Sequence, residues 1–340
     1  MQTVYLIGNG FDVNLGLPTK YPDFYKYYLG LDRVHDTENI YKLKDHLEKC
    51  LSSKTTFWSD LEEAMGLYTA ELRTYEELEE VYDNINDEMQ RYIHSIECSP
   101  LPNGIDSELL KKNISTPQMF LTPADRNIIH SIYNSIGADT HRISIVNFNY
   151  TTTIEKILNF KGKPLELGLA TYHIDYKTLL ENVFHIHGLS ESPILGINDS
   201  SQISNEELRT NLDVIEYLVK PQINSALGHL IDRKAREAIK EARLICIYGL
   251  SLGKTDSLWW KLVGERLLNG ATVILFVYDE HASNLVPRKF GRYQRSWKTK
   301  LCDMAKIQDN QRDSIMSLII VAQNTPIFDI KSKTIPTLPA

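Results

Sequence analysis

Val4-Tyr5-Leu6-Ile7, then Gly8-Asn9-Gly10-Phe11-Asp12, then Gly16-Leu17-Pro18-Thr19-Lys20-Tyr21 and Phe24, form the opening stretch whose reading decides the fold. A short apolar run without polar alternation suits a strand covered on both faces. Glycines directly after it allow a tight turn with nothing projecting from Cα. A phosphate could then approach the N–H groups that start the next helix. The same Gly-x-Gly also serves turns that need glycine for steric reasons alone. Strand, glycine turn and helix in that order predict an α/β protein, with a nucleotide as the natural ligand of the turn.

Further apolar runs extend the pattern. Strands are expected at Arg142–Val146, Val183–His187, Leu244–Tyr248 and Thr272–Val277, with Ser317–Val321 as a last one. Several are rich in Val and Ile, as in an open parallel, Rossmann-like sheet with helices on both faces. Between the first two strands the periodicity is helical. Leu78, Val81, Tyr82, Ile85, Met89, Tyr92, Ile93 and Ile96 place one amphipathic helix over Tyr75–Glu97. Ser99 to Gly104 reads as a loop, and Thr122 as the N-cap of a helix with Pro123 in its first turn. The expectation is one α/β domain over 1–340, with a helical insertion at 29–137 and a second at 205–243.

Composition narrows the classes. The chain has 340 residues, 42% hydrophobic and 24% charged, which is ordinary for a globular protein with a large core. A formal net charge of -7 argues against a protein built chiefly to grip nucleic acid. No apolar run reaches the roughly 18 residues of a membrane span, and no basic-then-apolar leader opens the chain. Cys50, Cys98, Cys246 and Cys302 are far apart, without a Cys-x-x-Cys. The expected location is the cytoplasm, with no metal and no membrane partner.

Four segments fall at or near the carboxyl ends of expected strands, where open parallel sheets bind ligands. They are Gly8–Asp12, Asn147–Thr151, His185-Ile186-His187-Gly188, and Gly249-Leu250-Ser251-Leu252 with Asp256 beyond it at a helix start. Asn149 reads either as a helix cap or as a neutral amide that positions a ribose hydroxyl or a water. His187 reads either as a packed core histidine or as a base reaching into a crevice. His185 and His187 sit two apart, and no third metal ligand stands at a convincing spacing. Gly249-x-Ser251 offers N–H groups and a hydroxyl to phosphate or ribose, or is a bare turn. Trp58, Asp60, Leu61 and Glu62 suggest a helix start capped by Ser59. Trp259-Trp260 suggests a helix packed on the sheet.

Together these segments resemble the AbiH family of bacterial abortive-infection proteins. The match is carried by Ile7–Asp12, Gly16–Thr19, Tyr21 and Phe24, and more loosely by Trp58 with Asp60 and Glu62, Asn147–Thr151, His187-Gly188 and Gly249–Asp256. That family is in turn similar, distantly, to sirtuin-like NAD-binding proteins. These have a glycine turn, a Thr-x-Asn segment, a His-Gly and a late Gly-x-Ser in the same order. The resemblance implies that Asn149 positions ribose and water and that His187 is a base near the ribose hydroxyls. Gly8, Asn9, Gly10, Phe11, Asp12, Thr19, Gly188, Gly249, Ser251 and Asp256 would then hold the nucleotide. Asn9 and Phe11 depart from the sirtuin-like phosphate loop. Thr151 stands where an Asp would recognise nicotinamide, and the four-cysteine zinc module is absent.

The resemblance implies an anti-phage protein that binds NAD or a related nucleotide and cleaves the nicotinamide–ribose bond. Depleting NAD would halt phage replication together with the host. A nucleotide sensor without turnover, acting through a partner or answering a phage-derived trigger, is the first rival. A nuclease-type effector is the second, for which Asp12 and Asp256 are the nominated carboxylates.

Overall fold

A computed structural model describes residues 1–52, 61–135, 140–169, 177–226, 230–279 and 287–331. The apolar opening forms β1 (Gln2–Ile7). It is followed by β2 (His141–Asn147), β3 (Leu165–Leu169), β4 (Lys177–His185), the short pair β5 (Gly188–Leu189) and β6 (Ser192–Pro193), β7 (Leu244–Tyr248), β8 (Thr272–Val277) and β9 (Ile319–Gln323). Seven of these make one sheet in the order β3-β4-β2-β1-β7-β8-β9, and β5 pairs with β6 apart from it. Neighbours run parallel except β3 against β4. The fold is therefore an open, mostly parallel, Rossmann-like α/β sheet flanked by helices.

The register explains the uniform apolarity of β1. Val4 and Leu6 pack into one core with Val146, Ile245, Val273 and Val321. Tyr5 and Ile7 point the other way, into a core with Ile145, Cys246, Ile274 and Ile320. Both faces are dry, so no polar alternation is tolerated. His141 is buried at the start of β2, its ring 2.9 Å from Thr3 Oγ1, and burial pushes its pKa down to about 3. The ring stays neutral there, so its contribution is fully present above its unfolded value near 6.5 and is lost as pH falls toward 3.

After β1 the chain runs through α1 (Gly10–Asn14), α2 (Tyr21–Leu29), α3 (Glu38–Ser52), α4 (Leu61–Tyr68) and α5 (Tyr75–Cys98). The long helix carries the expected buried stripe, and Thr74 caps it by accepting from the Glu77 N–H. α6 (Ser107–Ser115) and α7 (Pro123–Asn134) follow, the latter capped by Thr122. Beyond β2 come α8 (Thr153–Leu158), α9 (Glu206–Thr210), α10 (Leu212–Leu218), α11 (Lys220–Ala226), α12 (Leu230–Glu241), α13 (Ser257–Leu268), α14 (Pro287–Met304) and α15 (Asp309–Ile315). A third core, rich in tyrosine, joins Phe24, Tyr28, Leu47, Met65, Tyr82 and Met89 to Leu208 and Leu218. Helices from both sides of β2 thus share one interior, and it lies over the carboxyl ends of the central strands.

Several expectations are corrected. β4 begins at Lys177 and ends at His185, so His187 lies beyond the strand. Its first residues alternate in burial, with Thr178 and Leu180 buried and Lys177 and Leu179 less so, the pattern of a strand whose two faces are unequally covered. The last strand is Ile319–Gln323, two residues later than expected at both ends. Trp58, Ser59 and Asp60 lie outside the described residues. Trp260 is fully buried and donates from Nε1 to the Gly253 carbonyl at 2.8 Å. Among the described residues, no helix is long and apolar enough to cross a membrane.

Candidate functional site

Chain order places a crevice beside β1. From β1 the chain builds outward on one side to β2 and β4, then returns to the other side through β7, β8 and β9. A reversal of strand order leaves room outside the carboxyl ends of the strands. A cavity of about 500 Å³ occupies that place. Its floor is the set of turns after β1, β2 and β7, and its roof comes from α2, α4 and α5.

Asn9, Asp12, Thr19, Asn149, His187, Gly249, Ser251 and Asp256 all line this cavity. Gly8, Gly10, Phe11 and Gly188 do not line it. The glycine turn is occupied by the protein itself. The Gly8 N–H donates to the Tyr248 carbonyl at 2.9 Å, and the Gly10 N–H to the Gly249 carbonyl at 3.0 Å. Those two N–H groups are spent on joining the turns after β1 and β7. Phe11 packs edge-on to Phe328, 5.3 Å between centroids, inside the core. Gly188 sits at φ +75°, and a Cβ there would meet the Ser192 carbonyl oxygen at 2.1 Å, so its glycine serves the β5–β6 turn.

A side chain at Gly10 would meet Gly249 Cα at 2.5 Å before it met any ligand. Gly10→Val should separate the two turns and cost roughly 3 kcal/mol or more, at the upper end of overpacking. A melting curve with an unshifted midpoint would contradict that contact.

Asn9 and Thr19 hold the second half of the opening motif against the first. Asn9 Nδ2 donates to the Thr19 carbonyl at 2.7 Å, and the Thr19 hydroxyl donates back to Asn9 Oδ1. This side-chain clasp brings α2, with Tyr21 and Phe24, over the cavity.

Asn149 follows β2, but α8 starts only at Thr153, with Thr152 at its N-cap position. Asn149 is therefore not the cap. It is buried, and neither Oδ1 nor Nδ2 has a hydrogen-bond partner among the described residues. A buried amide without partners is costly unless something else satisfies it. Its backbone is held firmly instead. The Asn149 N–H donates to Asn147 Oδ1 at 3.0 Å, and its carbonyl accepts from His185 Nδ1 at 3.2 Å. Burial works against a charge on His185, yet Glu155 beside Nε2 and the Asn149 carbonyl outweigh it, so the ring titrates above its ordinary value.

His187 belongs to a buried ionic network that its sequence context did not reveal. Lys220, at the start of α11, donates to Glu62 Oε2 of α4 at 2.6 Å. The His187 Nε2 lies 3.1 Å from Lys220 Nζ and 3.0 Å from Asp256 Oδ1. Tyr150 donates from its hydroxyl to Glu62 Oε1 at 3.3 Å, and Phe148 meets the His187 ring edge-on at 5.4 Å. Asp256 thus turns its carboxylate inward and makes no cap bond to α13. Burial pushes its pKa up, but Lys220 and His187 outweigh burial and leave it below the usual carboxylate range.

Asp12 is held differently. Its Oδ2 accepts from the Thr151 hydroxyl at 2.5 Å, and Thr153 in turn donates to Thr151 Oγ at 3.1 Å. Its Oδ1 has no hydrogen-bond partner among the described residues. Burial pushes the pKa up; the hydroxyls of Thr151 and Thr153 oppose this, and the result is about 6. A raised carboxyl pKa gives stability that is complete below the unfolded value near 3.8 and is lost as pH rises through 6. Asp12→Asn should therefore stabilise the protein at pH 8 by roughly 1–3 kcal/mol and change little at pH 4. Melting at the two pH values checks this; equal shifts at both would refute it. Among the described residues no group of three or more His, Cys, Asp or Glu side chains is placed to hold a metal.

A roofed cavity at the reversal point of a parallel sheet is the place where open α/β folds take small ligands. The profile of the family described as Bacteriophage abortive infection AbiH matches residues 4–278, and the chain belongs to that family. No curated protein matched the chain.

Proposed function

We propose that the cavity takes NAD or a related nucleotide and that the protein acts in phage defence by cleaving the nicotinamide–ribose bond. The observation that carries this reading is the Asn149 amide, buried at the cavity wall with both polar atoms unpartnered. A neutral donor–acceptor pair suits a ribose hydroxyl or the attacking water. The volume fits a nucleoside-sized group, and the partly exposed Tyr92 and Tyr150 line it as aromatic partners for flat rings. In the reaction the C–N bond breaks, its electron pair stays on the ring nitrogen, and water adds at C1′ and loses a proton. Such cleavage passes through a cationic sugar, so orientation and charge supply most of the catalysis. The test is incubation of pure protein with NAD and measurement of free nicotinamide, beside phage protection in cells. Nicotinamide release above background supports the reading.

One observation favours a sensor without turnover. Both neighbours of the His187 Nε2 are charged side chains already paired in the network, so it is not held as a free base. Binding of NAD with no release of nicotinamide would select that reading.

A further inference from the structure

Asp12 is the buried acid of the cavity that the network leaves out. Glu62 and Asp256 are both answered by Lys220, and Asp256 also by His187. Asp12 is fully buried, lines the same cavity, and has no salt-bridge partner among the described residues. The groups facing it are hydroxyls and further acids. Thr151 and Thr153 lie on the β2–α8 side, with Glu155 on α8 and Glu97 on α5. Both of those acids have other partners, Glu155 with His185 and Glu97 with Lys156 at 3.1 Å. A buried carboxylate without a cation is unfavourable, and Oδ1 of this cavity-lining acid has no hydrogen-bond partner among the described residues.

Resting on the nucleotide reading above, we infer that Asp12 selects the charge state of the ligand's ring: it faces a cationic heterocycle and so favours the oxidised, pyridinium form of a nicotinamide dinucleotide over the reduced, neutral form. The two forms are nearly identical in shape and differ by one ring charge. A site that reads only shape and hydrogen bonds binds them alike. A carboxylate in a low-dielectric wall does not, because an opposite charge close by is worth far more there than in water. Thr151 keeps one oxygen engaged and leaves the other to the ligand. Because Asp12 takes up a proton as pH falls through about 6, the preference must weaken in acid.

The experiment is calorimetric titration of the full chain with the carbocyclic analogue of NAD and with its reduced form. The missing ring oxygen prevents cleavage and keeps binding separate from turnover. The expected result at pH 8 is at least tenfold tighter binding of the oxidised analogue, falling to about threefold at pH 5.5 as Asp12 becomes protonated. Asp12→Asn should bind the two forms within about threefold at both pH values. The wild-type pH series keeps the test decisive whatever the variant's yield. Equal binding of the two forms by the wild type, or a preference untouched by pH and by Asp12→Asn, overturns the inference and leaves the nucleotide reading standing. Binding of neither form overturns both.

Discussion

Lys220→Met is expected to destabilise the protein by about 3–5 kcal/mol, the usual cost of stripping one partner from a buried ionic cluster. The Lys220 ammonium lies 2.6 Å from Glu62 and 3.8 Å from Asp256, and all three groups are largely shielded from water. Methionine fills the stem's volume, so packing changes little and the effect is electrostatic. In a chain of this size the melting midpoint should fall by roughly 4–7 °C. The pH dependence has a definite sign. Asp256 is held below its ordinary range, so its stabilising share is present above the unfolded carboxyl value and disappears as pH falls through the native one. The deficit of the variant should therefore be greatest near neutral pH and shrink in acid, where the carboxyls protonate. Adding Glu62→Gln should restore part of the loss, because it removes one of the two stranded charges. A midpoint within 2 °C or so of wild type would show that the cluster is solvated and not structural.

The second large effect is functional. Asn149→Ala should reduce nicotinamide release and phage protection by roughly a hundredfold or more, while the melting midpoint stays level or rises. The reason is the amide's lack of partners: deleting a buried polar group that nothing satisfies removes a desolvation cost. A helix cap behaves in the opposite way and loses stability on truncation, but Asn149 stands before the N-cap of α8. Parallel melting and release assays separate the outcomes. Loss of activity only in proportion to loss of folded protein would return Asn149 to a structural role. His187→Ala is not an equally clean probe. Its ring bridges Lys220 and Asp256, so truncation should lower stability and activity together.

The parts of the fold that were legible in the sequence are those fixed locally. β1 announces itself because both of its faces are buried, and α5 because one face is. Leu165–Leu169 escaped notice as a strand: it lies at the sheet edge, pairs antiparallel and contains Gly168. Edge strands need only half the apolar pattern of central ones. The site divides along the same line. Asn9, Asp12, Asn149, Gly249 and Asp256 reach the cavity because turns after parallel strands always face that side of the sheet. Lys220 had no local mark. It stands 158 residues from Glu62 in sequence and meets it only because the fold brings the start of α11 against α4. The opening glycines were legible as a turn, but not the use of it: whether their N–H groups face a ligand or another turn depends on β7, far along the chain.

A crystal structure of the protein soaked with NAD would decide whether the cavity is a nucleotide site. The expected result is a nucleotide in the cavity under α2 and α5, with the Asn149 amide within hydrogen-bond distance of the ribose or its water and the nicotinamide ring toward Asp12. A cavity unchanged at saturating NAD, or nucleotide bound anywhere else on the molecule, would contradict that assignment.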